Sequence, residues 1–218
     1  MKPVSDAANP LIANVHQYEQ LAARSGYCAV AGLDEAGRGA LCGPVVAAAV
    51  ILFHEQFIDE VDDSKRLTPR QRSRAYDRIR THARAVGVGL ARADEIDRIN
   101  ILEATRLAMQ RAIGRLRITP DYLLLDAVRL EAVAIPQLPI IKGDRLSHSI
   151  AAASIIAKVI RDRIMRVWNR TYPQYGWANN MGYGTEEHLM ALRRHGPSPI
   201  HRRTFRGVLD CRGLFDPV

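Results

Sequence analysis

The sequence predicts an α/β fold, in which helices pack against a β-sheet. Two observations support this prediction. Several short apolar runs are bounded by glycines or acids, as strands are, and two longer segments repeat their apolar residues every three or four positions, as helices do. The chain has 218 residues, of which 47% are hydrophobic and 25% are charged, which is typical of a globular protein.

Three strands and one helix are predicted in the first half of the chain. Residues 27–33 and 43–53 are apolar runs joined by a glycine-rich connection, as expected for adjacent strands. Thr68 can cap a helix and Pro69 fits a first helical position, so a short helix is expected to follow. Residues 85–91 form the third predicted strand.

Helices and strands alternate in the second half. Apolar spacing predicts a helix over residues 94–116 and a longer one that begins near Ser147. Residues 122–126 and 140–141 are predicted as short strands. The order of the main elements, β-β-β-α-β-β-α, fits one sheet with helices packed on it. A further helix near residues 186–195 belongs to a helical appendage.

The composition narrows the range of functions. The chain has 31 Lys and Arg against 23 Asp and Glu, a net charge of +8. Such a surface attracts polyanions, above all nucleic acid, although charge alone fits a generic basic surface equally well. Three cysteines form neither a disulfide framework nor a C-x-x-C metal pair. No apolar run is long enough to cross a bilayer and no signal peptide is visible, so we expect a cytoplasmic protein without a membrane partner.

Acidic residues stand where predicted strands end. Asp34 and Glu35 follow the first strand, Asp126 ends another and Asp144 follows a third. In α/β sheets such strand ends can gather in one crevice, where four carboxylates repel one another unless they are protonated or share cations. Carboxylates select hard cations such as Mg²⁺ or Mn²⁺, and two such ions can promote phosphodiester cleavage by water. Alternatively, the acids are unrelated turn and cap residues.

Gly37, Arg38 and Gly39 directly follow the acidic pair. Glycines on both sides of an arginine let the main chain approach a substrate and let the guanidinium reach a phosphate. A simple turn is the other interpretation of this short motif.

These residues belong to a longer set of motifs that resembles type 2 ribonuclease H (RNase HII). The motifs occur in the family's order over about residues 30–206: GLDEAGRG at 32–39, GPV at 43–45, DSK at 63–65, LLD at 124–126, KGD at 142–144, AAASIIAK at 151–158, GYGT at 182–185 and HRRTF at 201–205. The resemblance implies an RNase H-like mixed five-stranded sheet flanked by helices, with a C-terminal helical extension. It divides the chain into a leader (1–26), a catalytic domain (27–170) and an extension with substrate contacts (171–218).

The activity implied by the resemblance is endonucleolytic. We expect cleavage of the RNA strand of RNA/DNA hybrids, and cleavage 5′ of ribonucleotides embedded in duplex DNA, leaving 3′-hydroxyl and 5′-phosphate ends. The implied mechanism is two-metal-ion activation of water, and the implied cofactor is Mn²⁺ or Mg²⁺. Hybrids and ribonucleotide-containing duplexes are the expected partners of a monomeric enzyme, and no protein partner is indicated.

The resemblance also assigns roles to individual residues. Asp34, Glu35, Asp126 and Asp144 resemble the family's catalytic, metal-binding acids. Together they would hold the ions that the reaction needs.

Five further residues resemble the family's substrate contacts. Gly37, Arg38 and Gly39 are expected to read the ribonucleotide 2′-hydroxyl and the adjoining phosphate, which is how a protein tells RNA from DNA at one position. Tyr183 resembles the tyrosine that stacks on the neighbouring sugar, and Lys65 resembles a phosphate contact. Without the resemblance, Tyr183 would be interpreted as loop packing and Lys65 as a solvated charge.

For several other residues the sequence leaves the role undecided or favours a purely structural one. Lys158 points either toward the acids or to solvent, and the His-Arg-Arg cluster at 201–203 either touches phosphates or anchors the tail to the body. Met181 stands where the family commonly has a lysine. Trp168 and Trp177 are expected in the core. Five histidines lack metal-ligand spacing and are expected at the surface or in satisfied hydrogen bonds: His54, His82, His148, His188 and His195.

Two other functions fit part of the sequence. Another RNase H-like nuclease, such as a junction resolvase or a transposase core, would share the acids but would not need the GRG loop or Tyr183. A non-enzymatic hybrid-binding module would bind equally with and without divalent metal. Ribonucleotide-dependent cleavage distinguishes these functions from the leading one.

Overall fold

A mixed sheet forms the centre of the fold. The computed structural model of the chain describes residues 15–53, 58, 61 and 67–210. Its strands are β1 (Val30–Ala36), β2 (Val45–Ile51), β3 (Ala85–Ala91), β4 (Tyr122–Asp126) and β5 (Gln137–Ile140). They are arranged in the order β3-β2-β1-β4-β5, with β1–β2 and β2–β3 antiparallel and β1–β4 and β4–β5 parallel. The predicted mixed five-stranded sheet is confirmed.

Helices cover both faces of this sheet. The described residues form α1 (Gln17–Arg24), α2 (Pro69–His82), α3 (Ala93–Ile113), α4 (His148–Thr171), α5 (Trp177–Asn180), α6 (Glu186–His195) and α7 (Arg206–Leu209). Helix α3 packs on one face, and α2 and α4 pack on the other. No helix in the described ranges is long and apolar enough to cross a membrane.

Small residues bring α4 close to the centre of the sheet. A Cβ atom on Gly32 of β1 would overlap the backbone of Ser149, so only glycine permits this close approach. Helix α4 begins at the Ser147 cap, whose side chain accepts a hydrogen bond from the Ile150 N–H. The start of α4 therefore lies directly against the strand that carries the first two acids.

Local signals predicted the helix starts well. Thr68 caps α2, and together with Gln71 it forms a capping box. The helix predicted over residues 94–116 is interrupted, because Asn100 has φ 66° and ψ 168°. Its side-chain oxygen accepts hydrogen bonds from the N–H groups of Leu102 and Glu103, which restarts the helix after the break.

Strand β1 is longer than its sequence pattern predicts. The apolar run ends at Leu33, but pairing with β2 continues through Asp34 and Glu35 to Ala36. The two acids therefore lie inside the strand, held by hydrogen bonds to β2, and not beyond its end. Strand β5 spans 137–140, slightly before the predicted position.

The end of the described chain packs as a small apolar cluster beside the sheet. Trp177 is fully buried in this cluster, as predicted, and Trp168 packs against it while partly exposed. Cys42 and Met165 belong to the same cluster and come from the β1–β2 connection and α4. The extension is thus fixed to the segment that follows the GRG motif.

Candidate active site

Asp34 and Asp126 lie side by side on the sheet. Strands β1 and β4 are parallel, and Leu33 is paired with Leu125, so Asp34 and Asp126 are the next residues on the two strands. Asp34 is only 5% exposed and is hydrogen-bonded to Ser154 of α4. The predicted convergence of these two acids is therefore present in the structure.

The electrostatics of Asp34 reflect this crowding. Its pKa is raised well above the ordinary value of 3.8, chiefly because the side chain is buried and further because the carboxylates of Glu35 and Asp126 are close. The Oε1 atom of Glu35 lies 3.3 Å from Nη1 of Arg38. A cation placed among these carboxylates would offset their mutual repulsion and would favour the ionised form of Asp34.

Asp144 lies on a short 3₁₀ turn after β5, next to a residue that is hydrogen-bonded to Asp126. The turn spans Gly143–Arg145, and the Gly143 N–H donates to Oδ1 of Asp126 at 2.8 Å. Asp144 itself is 5% exposed. The hydrogen bond from Gly143 therefore fixes the turn that carries Asp144 against the end of β4, which carries Asp126. This all-carboxylate donor set fits a hard divalent cation such as Mg²⁺ or Mn²⁺.

The GRG motif forms a loop directly after β1. Gly37 is buried with φ 94°, and a Cβ atom there would overlap the Arg161 side chain, so glycine is required on both counts. Arg38 and Gly39 are exposed, and a Cβ on Gly39 would meet nothing within 4 Å. The loop therefore presents these two residues on an open surface next to Glu35.

Tyr183 lies beside this loop. The Leu41 N–H donates to the carbonyl of Gly182 at 2.8 Å, which ties the tyrosine segment to the end of the GRG connection. The half-exposed ring has the Arg161 guanidinium 5.2 Å and the Lys158 Nζ 5.7 Å from its centre. The structure thus places two of the predicted substrate contacts, Tyr183 and the GRG loop, next to each other.

Comparison with known proteins decides the family. The family described as Ribonuclease HII matches residues 31–208. The chain belongs to this family. Ribonuclease HII of Bacillus velezensis is 54% identical over 195 residues, which cover 89% of this chain and 76% of that protein. Ribonuclease HII of Geotalea uraniireducens is 53% identical over 194 residues, covering 89% and 90%.

The fold gives the same answer. The crystal structure of ribonuclease H2 from Pyrococcus horikoshii OT3 matches with a TM-score of 0.72 and 27% identity, over 84% of this chain and 97% of that one. As a ribonuclease HII, the chain is a metal-dependent endoribonuclease of RNA/DNA hybrids. The predicted family is confirmed, and the hybrid-binding module without activity is not supported.

Contacts in this ribonuclease HII bear on Lys158 and on the cluster at 201–203, which the sequence left open. Lys158 donates to Oδ1 of Asp162 at 2.8 Å, so its ammonium is paired beside Tyr183 and does not extend freely into solvent. His201 and Arg202 are buried and anchor the tail, while the backbone N–H of Arg203 donates to Asp97. Lys65 and His54 lie outside the described residues, as do residues 1–14.

Sequence reasoning missed a buried cluster of Cys42, His188 and His201, whose ligand-type atoms lie within 4.8 Å of one another. Nε2 of His188 accepts from Nε1 of Trp177 at 3.1 Å and lies 3.1 Å from Nε2 of His201. Because Nδ1 of His201 accepts from the Ser198 N–H, the proton of His201 is on Nε2 and points at His188. These hydrogen bonds occupy the lone pairs that a metal would need. The three residues are far apart in sequence, so no local spacing could have predicted the cluster.

Proposed function

We propose that Asp34, Glu35, Asp126 and Asp144 form the metal site of an enzyme with two related activities. It would cut the RNA strand of RNA/DNA hybrids, and it would cut 5′ of ribonucleotides embedded in duplex DNA, leaving 3′-hydroxyl and 5′-phosphate ends. The main support is the adjacency of Asp34 and Asp126 on parallel strands, with Asp34 buried among carboxylates.

The acids would hold two divalent cations, Mg²⁺ or Mn²⁺. Such ions, when bound, lower the pKa of water and stabilise the leaving oxygen of a phosphodiester. The protein's part is to fix the carboxylates in place. The sheet holds Asp34 and Asp126, Ser154 orients Asp34, and the Gly143 N–H orients Asp126.

Recognition of the ribonucleotide is assigned to the exposed surface next to the acids. Gly37, Arg38 and Gly39 would read the 2′-hydroxyl and the adjoining phosphate, because the loop is open and its arginine is 3.3 Å from Glu35. The ring of Tyr183 would stack on the neighbouring sugar. Lys65 would contact a phosphate, on the strength of the resemblance alone.

Cleavage of defined duplexes tests this proposal. End-labelled DNA duplexes with no, one or several ribonucleotides are incubated with Mg²⁺, Mn²⁺ or EDTA. We expect cutting only 5′ of a ribonucleotide, and none in EDTA. Cutting of the all-DNA duplex would replace the proposal with a different RNase H-like nuclease activity. No cutting with either metal would overturn it.

A further inference from the structure

A fully buried arginine lies under the GRG loop. Arg202 has no exposed surface, and each of its three guanidinium nitrogens donates to a main-chain carbonyl. Nη2 donates to Gly37 O at 2.7 Å, Nη1 to Arg38 O at 2.8 Å and Nε to Gly43 O at 3.0 Å. The arginine is 165 residues from Gly37 in sequence, so the C-terminal extension supplies the support for this loop.

A second buried arginine also donates to main-chain carbonyls near this loop. Arg161 of α4 donates to the carbonyls of Cys42, Pro44 and Met181 at 2.9 to 3.2 Å. It therefore links the chain just after the GRG motif to the segment that carries Tyr183. Burial and the nearby Arg161 together lower the pKa of Arg202 to about 9, and both guanidinium groups stay charged at neutral pH.

The direction of these hydrogen bonds determines what the loop presents. In a trans peptide the C=O and the following N–H point in opposite directions. The described chain contains no cis peptide bond. Arg202 holds the carbonyls of Gly37 and Arg38 on its own side, so the N–H groups of Arg38 and Gly39 point away from it. Those N–H groups lie on the exposed residues of the loop.

We propose that Arg202 is a positioning residue for ribonucleotide recognition, which holds the carbonyls of Gly37 and Arg38 so that the N–H groups of Arg38 and Gly39 are aimed at the ribose and phosphate. This inference rests on the proposed reading of the 2′-hydroxyl by the GRG loop. Arg202 touches no reacting group itself. Its guanidinium places donors on three coplanar nitrogens, one for each carbonyl, whereas an ammonium or a primary amide has all its donors on one nitrogen.

Two variants of Arg202 separate geometry from charge. Arg202→Lys keeps the charge but loses the fork, whereas Arg202→Gln keeps a planar donor but loses the charge. Both should lower kcat/KM on a duplex with one ribonucleotide by at least tenfold. A matched control is Met109→Ala, which creates a cavity between α3 and the sheet and lowers stability without removing a hydrogen bond to the loop.

Discrimination between substrates is the readout that a merely structural role would not change. Binding is measured in EDTA with the one-ribonucleotide duplex and the matching all-DNA duplex, at a temperature where each variant is folded. We expect the ratio of the two Kd values to fall at least tenfold in both Arg202 variants and to stay within twofold in Met109→Ala. Amide exchange at residues 37–40 should become faster in the Arg202 variants, while Mn²⁺ binding by the acids is retained.

The outcomes are distinct. A folded Arg202→Lys enzyme with wild-type kcat/KM and wild-type discrimination would overturn the inference and leave the proposed function intact. The same conclusion would follow if neither Arg202 variant folds, since the residue would then be purely structural. A wild-type protein that neither cuts nor discriminates would overturn the proposed function and, with it, this inference.

Discussion

Asp34 and Asp126 occupy the next positions after the paired residues Leu33 and Leu125 on two parallel strands. Backbone hydrogen bonds of the sheet hold the two carboxylates together, and burial keeps the cost of their mutual repulsion high. Such an arrangement is unfavourable for folding without a cation and favourable for binding one. Function and stability should therefore respond in opposite directions when one of these acids is neutralised.

Asp34→Asn should abolish cleavage without impairing the fold. The change removes a proposed metal ligand whose loss would cost several kcal/mol, so we expect kcat to fall by roughly 10³-fold or more. It also removes a buried carboxylate whose pKa is raised, so the unfolding temperature without metal should equal or exceed that of the wild type at pH 7. Cleavage assays and thermal unfolding in EDTA measure the two effects.

The metal dependence of stability gives the matching control. Mn²⁺ should raise the unfolding temperature of the wild type in a concentration-dependent manner, because a ligand that binds the folded state stabilises it. The rise should be much smaller in Asp34→Asn and unchanged in Asp94→Asn, an exposed acid paired with Arg92. An Asp34→Asn enzyme with full activity would show that the site has been assigned wrongly.

Tyr183→Ala should weaken cleavage, whereas Tyr183→Phe should not. The ring lies half-exposed beside the GRG connection, and stacking of an aromatic ring is worth about 1 kcal/mol, so kcat/KM should fall at least about fivefold when the ring is removed. The phenyl ring retains the stacking surface. Steady-state kinetics on a one-ribonucleotide duplex measure the loss. The half-buried Tyr27, which packs on Tyr122, provides a control ring in Tyr27→Ala, and equal losses in the two alanine variants would argue against a substrate contact.

Much of the fold could be predicted from local sequence patterns, and the predictions that were wrong have physical causes. The bounds of β3 and β4 and the Thr68 cap depend on residues close in sequence, and all three are confirmed. The extension of β1 through Glu35 depends on pairing with β2, which the apolar pattern of β1 does not contain. The break at Asn100 depends on a side-chain hydrogen bond that helical spacing does not indicate.

The candidate site also has features that the sequence could predict and features that it could not. The convergence of Asp34 and Asp126 could be predicted because both acids directly follow apolar runs in the sequence, although Asp34 lies inside β1 and not beyond its end. The roles of Arg161 and Arg202 could not, because their partners are main-chain carbonyls up to 165 residues away, and a carbonyl has no residue-type signature. For the same reason the cluster at 201–203 could not be assigned to anchoring or to phosphate from sequence alone.

Glu19 should contribute to stability through the start of α4. Its Oε1 atom accepts from Ser147 Oγ at 2.6 Å, Ser149 Oγ at 2.7 Å and the Ser149 N–H at 2.9 Å. Glu19→Ala removes this shared acceptor and should lower the free energy of unfolding by about 1 to 3 kcal/mol. Urea unfolding measures the loss, and Gln17→Ala on the exposed face of α1 is the control. A loss no larger than that of the control would mean that α1 does not stabilise this end of α4.

The buried histidines should make the fold sensitive to acid. Burial and the neighbouring His188 lower the pKa of His201 to about 3, against an ordinary value of 6.5, and burial lowers the pKa of His188 as well. Between about pH 3 and 6.5 the unfolded chain therefore binds a proton at His201 that the folded chain does not. The stabilisation is complete above pH 6.5 and is lost as the pH falls through this window.

His201→Gln tests this linkage directly. The slope of the unfolding free energy between pH 4 and 6 should decrease by up to about 1.4 kcal/mol per pH unit, the value for one proton, although the variant is less stable overall. Urea unfolding at a series of pH values gives the slope. His82→Gln, at an exposed histidine of α2, is the matched control for replacing a histidine by glutamine. If His201→Gln keeps the wild-type slope, His201 is protonated in the folded protein over this range, and the proton positions assigned to the His188–His201 pair are wrong.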